Sequence, residues 1–461
     1  MSSRLLGVNR SRTFSWGTMA PSLLARLGTF FYVVHPNSTT FRTAEEVPNY
    51  TNEAVPLFIA FLILEWIVLR AKNKKKNMRT NDVLTSVGHG IVYEVIGFVI
   101  RGTTLIGYEW LYKHRLIDLD WDSPAVWWLA ALGIDFGYYW FHRAAHEVNI
   151  IWGAHQVHHS SEDYNLSTAL RQSIFQRYFS FGFYHPLALL GVPLPAMLVH
   201  QQFNLIYQFW IHTELVKDCG PLEWILNTPS HHRVHHGANK WCLDKNYAGV
   251  LIIWDRIFGT FEPERKDEKI AYGLVTQPQK FNVLYLQVFY FRAIFEKALS
   301  MPTWGDTFRA LCYGPGWVSG TPRLGDPSTF PDVTAPRPKY DPQLPLWHEI
   351  YVVVHFVAIL IMQQVFVAQY ATFSWYTVLM FIFFLLVSVG IIGAMYDGWW
   401  WAPLVEAVRC ASYVAYAKNY PVTSIPTLDS AILAYFAMST LLWTSQSLSV
   451  VQATAKSSKL Q

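Results

Sequence analysis

PAVWWLAALGIDFGYYWFHRAAHE, residues 124–147, decides the reading of this chain. Through residue 141 the segment carries one charged side chain, Asp135, and is close to the roughly 20 apolar residues that a bilayer-crossing helix needs. It then ends in His142 and His146. Residues four apart share a helix face, so HxxxH presents two imidazoles together where the helix leaves the apolar layer. The segment therefore reads as a membrane helix that delivers metal ligands.

The whole composition agrees. Of 461 residues, 52% are hydrophobic, 16% aromatic and only 15% charged, against about 25% charged in a typical soluble domain. The net charge of +4 is too small and too scattered to draw a nucleic-acid partner. Cys219, Cys242, Cys312 and Cys410 form no CxxC pair and are too sparse for a disulfide-built secreted domain. Nine apolar windows qualify or nearly qualify as spans: 55–69, 84–107, 124–141, 174–191, 196–211, 347–370, 373–396, 399–417 and 428–450. The expected fold is all-α, a polytopic membrane helical bundle of about nine spans. Pro193 and Pro195 separate the fourth and fifth windows, which fit two short crossings or one re-entrant hairpin. Either choice returns the chain to the same side.

Arg70, Lys72, Lys74, Lys75, Lys76 and Arg79 follow the first window, and the positive-inside bias makes that cluster cytosolic. The N-terminus is then lumenal, where Asn37-Ser-Thr and Asn49-Tyr-Thr suit glycosylation. Residues 14–34 are interrupted by Pro21 and Arg26, which argues against a signal peptide. Ser458-Lys-Leu is not terminal and so is no peroxisomal address. Four parts follow: a lumenal segment 1–54, a membrane-embedded catalytic domain 55–261, a cytosolic and interfacial segment with a proline-rich linker 262–346, and a C-terminal four-span block 347–461 that reads as scaffold. Within the third part, 281–299 is expected to be a helix lying on the cytosolic interface.

By this parity three histidine groups share the cytosolic face: His142 and His146; His155, His158 and His159; and His231, His232, His235 and His236. In a helix HxxHH aims three imidazoles together, and His231 falls about 100° off the face of its neighbours. So many unliganded imidazoles would leave hydrogen-bonding capacity unused and repel one another on protonation. Eight nitrogens exceed one tetrahedral ion, so a pair of metals is expected on His142, His146, His155, His158, His159, His232, His235 and His236. His212 and His231 are additional candidates. Imidazole sites suit iron, zinc, copper or nickel, and the residues do not choose among them. A zinc-protease HExxH fails because Ile150 stands where the second histidine belongs. Asp135 and Glu147 are candidate acceptors for the free ring N–H of ligands. His35, His89, His114, His185, His200, His348 and His355 read as hydrogen-bonded structural residues. Tyr138, Tyr139, Trp140 and Phe141 read as an interfacial aromatic belt rather than a tunnel lining.

HxxxH, HxxHH and HxxHH, followed by WDRIFGTF at 254–261, resemble the fatty acid hydroxylase/sterol desaturase superfamily of integral-membrane di-iron oxygenases. WFHRAAHE (140–147), WGAHQVHHSSEDYN (152–165), QFWIHTE (208–214) and the extra C-terminal spans are similar to its tetrahydrobiopterin-dependent, ether-lipid-cleaving branch. The resemblance implies two iron ions on the eight histidines and O2 as oxidant. It also implies tetrahydrobiopterin as electron donor, recycled by a separate enzyme, at a site no motif locates. The substrate would be an ether lipid drawn from the membrane, hydroxylated at the alkyl carbon next to the ether oxygen. The resulting hemiacetal would collapse to a fatty aldehyde and glycerol. The implied location is the endoplasmic reticulum membrane, with the site facing the cytosol. Some relatives carry a further histidine where this chain has Gln208. The alternatives are a fatty-acid or sterol hydroxylase or desaturase using cytochrome b5 electrons, and a membrane metal transporter or sensor. This chain has no HPGG haem segment for a fused b5 domain, and its histidines sit at span ends rather than at mid-span, where transporters place ligands.

Overall fold

The computed structural model describes residues 23–420 and 425–457, so residues 14–22 of the 14–34 stretch and Ser458-Lys-Leu lie outside it. The described residues contain helices and two isolated β-bridges but no strand. The chain divides into two compact units, 1–278 with 287–339, and 279–286 with 340–461.

The first unit holds α1 (Leu23–Phe30), α2 (Tyr50–Ala71), α3 (Thr80–Lys113), α4 (Pro124–Glu147), α5 (Asn149–His159), α6 (Gln176–Phe181), α7 (His185–Leu189), α8 (Leu194–Ile211), α9 (Pro229–His235), α10 (Ile253–Phe258), most of α11 (Val283–Leu299), and α12 (Trp304–Cys312). Proline supplies the entry to α4, α8 and α9 through Pro124, Pro195 and Pro229, where its fixed φ and missing N–H cost nothing. α8 is the central post. Its Val199 and Phe203 pack with Trp127 and Ala131 of α4, and its Ile206 and Phe209 pack with Phe30 of α1 and Ala54 and Phe58 of α2. α4 is two-faced. Trp128, Leu132, Phe136 and Trp140, four residues apart, are exposed on one side, while Ile134, Asp135, His142 and His146 are buried on the other. The greasy stripe suits lipid and the buried face carries the chemistry.

Among the described residues, three helical segments are long and apolar enough to cross a membrane: 44–71, which contains α2, and two in the second unit. Window 174–191, which fits either a short crossing or one arm of a re-entrant hairpin, forms no single helix. It is broken into α6 and α7, six and five residues long, which at about 1.5 Å per residue reach roughly 9 Å against a hydrocarbon core of about 30 Å. Pro186, whose missing N–H and fixed φ are best tolerated in a helix's first turn, opens α7 and disfavours one continuous rod. The expected helix within 281–299 is present as α11, with Val288, Phe295 and Leu299 exposed.

The second unit contains α13 (Leu346–Gln369), α14 (Trp375–Tyr396), α15 (Ala402–Ala417) and α16 (Pro426–Ser457), of which α13 and α14 are the other two candidate spans. Its interior holds a buried ionic network. Arg409 donates from Nε to Glu406 Oε2 at 2.7 Å and from Nη2 to Glu406 Oε1 at 2.6 Å and His355 Nδ1 at 3.0 Å. Nη1 reaches Ser388 Oγ at 3.4 Å, and Tyr351 donates to Glu406. His355, Glu406 and Cys410 cluster at metal-like spacing, but the guanidinium already supplies the cation. His355 is therefore hydrogen-bonded, as its sequence context suggested, and the network is closed. Removing one partner of such a pair leaves an uncompensated buried charge, at about 3–5 kcal/mol. Arg409→Met is expected to lower the thermal midpoint of the purified protein sharply, and Arg409→Met with Glu406→Gln to recover part of the loss. A double variant no better than the single would show that the charge pairing is not what matters.

Candidate metal centre

Four short stretches bring nine histidines together. α4 ends in His142 and His146; Val148, extended at φ −127°, breaks the helix, and α5 turns His155, His158 and His159 back toward them. α8 ends at Ile211 and delivers His212, and α9 delivers His232 and His235 with His236 at its cap. The potential ligand atoms fall into two sets, each within 4.8 Å of one another: His142, His146, His155, His159 and His235 in one, and His158, His212, His232 and His236 in the other. All nine are buried. The eight expected histidines thus converge, and His212 completes the second set. His231 joins neither; it lies against the Phe261 ring, with Nδ1 3.5 Å from Thr228 Oγ1.

The two HxxHH motifs are divided rather than aimed at one point. α5 gives His155 and His159 to the five-membered set and His158 to the other, and α9 gives His232 and His236 to the four-membered set and His235 to the first. At about 100° per residue, positions i and i+4 return to within about 40°, whereas i+3 falls about 60° short on the other side. One turn of helix therefore serves two neighbouring sites.

The tautomers are fixed by backbone carbonyls, which only accept. His142 Nδ1 donates to Tyr247 O at 2.7 Å, His235 Nδ1 to Lys245 O at 2.9 Å, His212 Nδ1 to Gln208 O at 2.6 Å and His158 Nδ1 to Arg171 O at 3.3 Å. Each Nε2 is then a bare lone pair. Yet His212 Nε2 stands 3.2 Å from His158 Nε2, so two acceptors face each other. His212 Nε2 is also 3.0 Å from His232 Nε2 and 3.2 Å from His236 Nε2, and His142 Nε2 is 2.9 Å from His155 Nε2. The Nε2 atoms of His146 and His235 are buried with no hydrogen-bond partner. Burial holds the imidazoles neutral, lowering His155 to about 4, His212 and His235 to about 3, and His158, His159, His232 and His236 well below the usual histidine range. Protons therefore do not relieve the clash at neutral pH. A cation between the lone pairs does, and separations near 3 Å are those of neighbouring nitrogens about 2.0–2.1 Å from a shared ion. The donor sets fit two metal ions.

Neither carboxylate singled out from the sequence accepts from an imidazole. Asp135 accepts Val250 N at 2.9 Å, Leu251 N at 3.0 Å, Trp254 Nε1 at 3.0 Å and Asn204 Nδ2 at 2.8 Å. Glu147 accepts Arg143 Nε at 2.8 Å and Arg323 Nη1 at 2.9 Å. Asp135, facing inward from α4, captures the loop before α10, and Glu147 is occupied by cations. The carbonyls that orient the ligands carry no side-chain signature. One signal was present: Asp255 of WDRIFGTF accepts the N–H groups of Tyr247 and Ala248, each at 2.8 Å, and so holds the strand of loop whose Tyr247 carbonyl orients His142. Gln208 is also committed elsewhere, accepting from Tyr138 OH at 2.7 Å and donating to Asn204 at 2.6 Å. The expected aromatic belt is partial: Trp140 faces outward, Tyr139 and Phe141 are buried, and the Tyr138 ring lies 5.2 Å from that of His142.

Residues 127–260 match the fatty acid hydroxylase family, and residues 348–433 match the alkylglycerol monooxygenase C-terminal domain. The chain is 44% identical to the alkylglycerol monooxygenase of Xenopus tropicalis over 90% of its length and 92% of the relative's. It is also 44% identical to that of Homo sapiens, covering 90% of this chain and 93% of the relative, and 34% identical to that of Caenorhabditis elegans, covering 88% and 85%. No solved structure matches the chain. A full-length likeness that spans both the histidine region and the C-terminal helices makes this chain an enzyme and a member of the alkylglycerol monooxygenase family.

Proposed function

We propose that the nine buried histidines hold two iron ions and that the protein uses O2 and tetrahydrobiopterin to hydroxylate ether lipids. The observation that carries this reading is the opposed lone pairs of His158 and His212, whose Nδ1 protons are already given to carbonyls. Iron is favoured over other imidazole-binding metals because the relatives are named as monooxygenases.

Bound iron would supply activation of O2 and delivery of one oxygen atom to a C–H bond; the pterin would supply two electrons. The chain's own residues do the rest. His142, His146, His155, His159 and His235 would hold one ion, and His158, His212, His232 and His236 the other. Tyr247, Lys245, Gln208 and Arg171 keep the Nε2 lone pairs turned inward through their carbonyls. The alkyl carbon beside the ether oxygen is the reactive position, since the oxygen stabilises charge or spin developing there. The hydroxylated product is a hemiacetal, which collapses to fatty aldehyde and glycerol without further oxidation. The bundle 55–261 is the catalytic part, with 347–461 as its membrane scaffold and further crossings beyond the three apolar segments.

The reading places the enzyme in the endoplasmic reticulum membrane, and the basic loop between α2 and α3 supports a cytosolic facing of its site. Asn165 donates to Asn77 O at 3.0 Å and Arg79 pairs with Asp163 at 3.0 Å. The segment just after His159 therefore lies beside the lysines and arginines that mark the cytosolic face.

Two measurements test this function. Protein purified with ferrous iron is expected to carry about two iron ions per chain, the number the two donor sets fit. His212→Ala is expected to lose at least one ion and turnover, and His231→Ala to keep both. Full iron in His212→Ala would sink the assignment. In the second, 1-alkylglycerol with tetrahydrobiopterin should give aldehyde with matching O2 uptake. Turnover without pterin, driven instead by cytochrome b5, would replace the proposed electron donor.

A further inference from the structure

Glu94 of α3 and Arg177 of α6 form a charged pair, with Tyr93 hydrogen-bonded to the arginine, that the metal centre does not use. Arg177 Nη2 stands 3.5 Å from Glu94 Oε2, with the two side chains 20% and 16% exposed. That separation is well beyond the roughly 2.7–2.9 Å of a tight guanidinium–carboxylate contact. Arg177 Nε is buried with no hydrogen-bond partner. The guanidinium carbon lies 4.1 Å from the centroid of the Tyr93 ring. Gly97, one turn on from Tyr93, makes room for it: a Cβ there would come within 2.6 Å of Nη1. The chain thus gives up a side chain on α3 to keep a half-satisfied cation against it.

The pair borders the five-histidine set by two routes. Gln176, the residue before Arg177, has Oε1 3.1 Å from His155 Nδ1. Tyr93 is within electrostatic range of Tyr138, whose ring lies 5.2 Å from that of His142. A charge inside apolar helices is costly and is retained where it meets a polar ligand. We infer that Glu94 and Arg177 form the subsite for the hydroxyl-bearing glycerol head of the substrate, the carboxylate accepting from a hydroxyl and the free guanidinium N–H donating to one. This places a polyol reader next to the ion set, so the carbon that reacts, one ether bond away from the head, is held near the histidines. The inference rests on the ether-lipid reading above.

The test is equilibrium binding of a 1-alkylglycerol to the iron-loaded protein in detergent, without O2 or pterin, so that it does not depend on turnover. The parent is compared with Glu94→Gln, Arg177→Lys and Arg177→Met, and each ligand with its analogue in which both hydroxyls are O-methylated. Loss of a hydrogen bond to a charged group predicts about tenfold to a hundredfold weaker binding of the free alkylglycerol in Glu94→Gln and Arg177→Met. Iron stoichiometry should be unchanged, and the parent's preference for free over methylated hydroxyls should fall toward unity. Arg177→Lys should keep part of that preference, because an ammonium still donates. Unchanged affinity and preference in Glu94→Gln and Arg177→Lys, with iron intact, would make the pair a purely structural contact and overturn the inference. Should the parent bind alkylglycerol with this preference yet form no aldehyde, the catalytic reading fails and the subsite stands.

Discussion

The structure depends on one electrostatic constraint: imidazoles whose protons are spoken for have their lone pairs forced together. A buried histidine ordinarily settles by donating from one nitrogen and accepting at the other. Here the carbonyls of Gln208 and Arg171 take the Nδ1 donors of His212 and His158, whose Nε2 atoms then face each other at 3.2 Å, and those of Tyr247 and Lys245 take the Nδ1 donors of His142 and His235. Such an arrangement is unfavourable unless a cation occupies the middle. The fold therefore stores binding energy for metal, in the form of acceptors that have nothing else to accept.

Holding carbonyls in place is a demand on loops, and the surrounding polar groups answer it. Asp255 and Asp135 each accept two backbone N–H groups between Tyr247 and Leu251. On the other side Arg171 is pinned by Ser86 and Ser160, each at 3.0 Å, and by Asp82 at 2.7 Å, so the carbonyl that meets His158 sits on a fully bonded residue. These are buried charges with their hydrogen bonds complete, the condition under which such networks rigidify rather than destabilise. The ligands themselves are on helix ends, where a break such as Val148 can redirect the chain within one residue.

This division of labour explains what could be read from the amino-acid order. HxxxH and HxxHH were legible because helical period turns spacing into direction. That one HxxHH is divided between two histidine sets was not, since periodicity alone does not say where neighbouring sets lie. His212 is a lone histidine, and only the fold places it against His158 and His232. Asp135 and Glu147 had the right chemistry and position in sequence, but an inward carboxylate takes whatever donors reach it first: loop amides for Asp135, arginines for Glu147. The break of 174–191 into α6 and α7 hid behind its apolar composition, because hydropathy counts side chains and Pro186 acts through the backbone.

Arg171 and Arg409 are buried and Arg177 is half-buried, and the partners of their guanidinium nitrogens differ. Arg409 spends its donors on Glu406, His355 and Ser388, and Arg171 spends its own on Ser86, Ser160 and Asp82. In both, each of the three guanidinium nitrogens has a partner. Arg177 has one carboxylate oxygen at 3.5 Å, the ring and hydroxyl of Tyr93, and a buried Nε with no acceptor. Burial costs all three the same type of desolvation, but only Arg177 leaves it partly unrepaid by the protein. On the ether-lipid reading proposed above, hydroxyl oxygens arriving with the substrate would repair that deficit most directly.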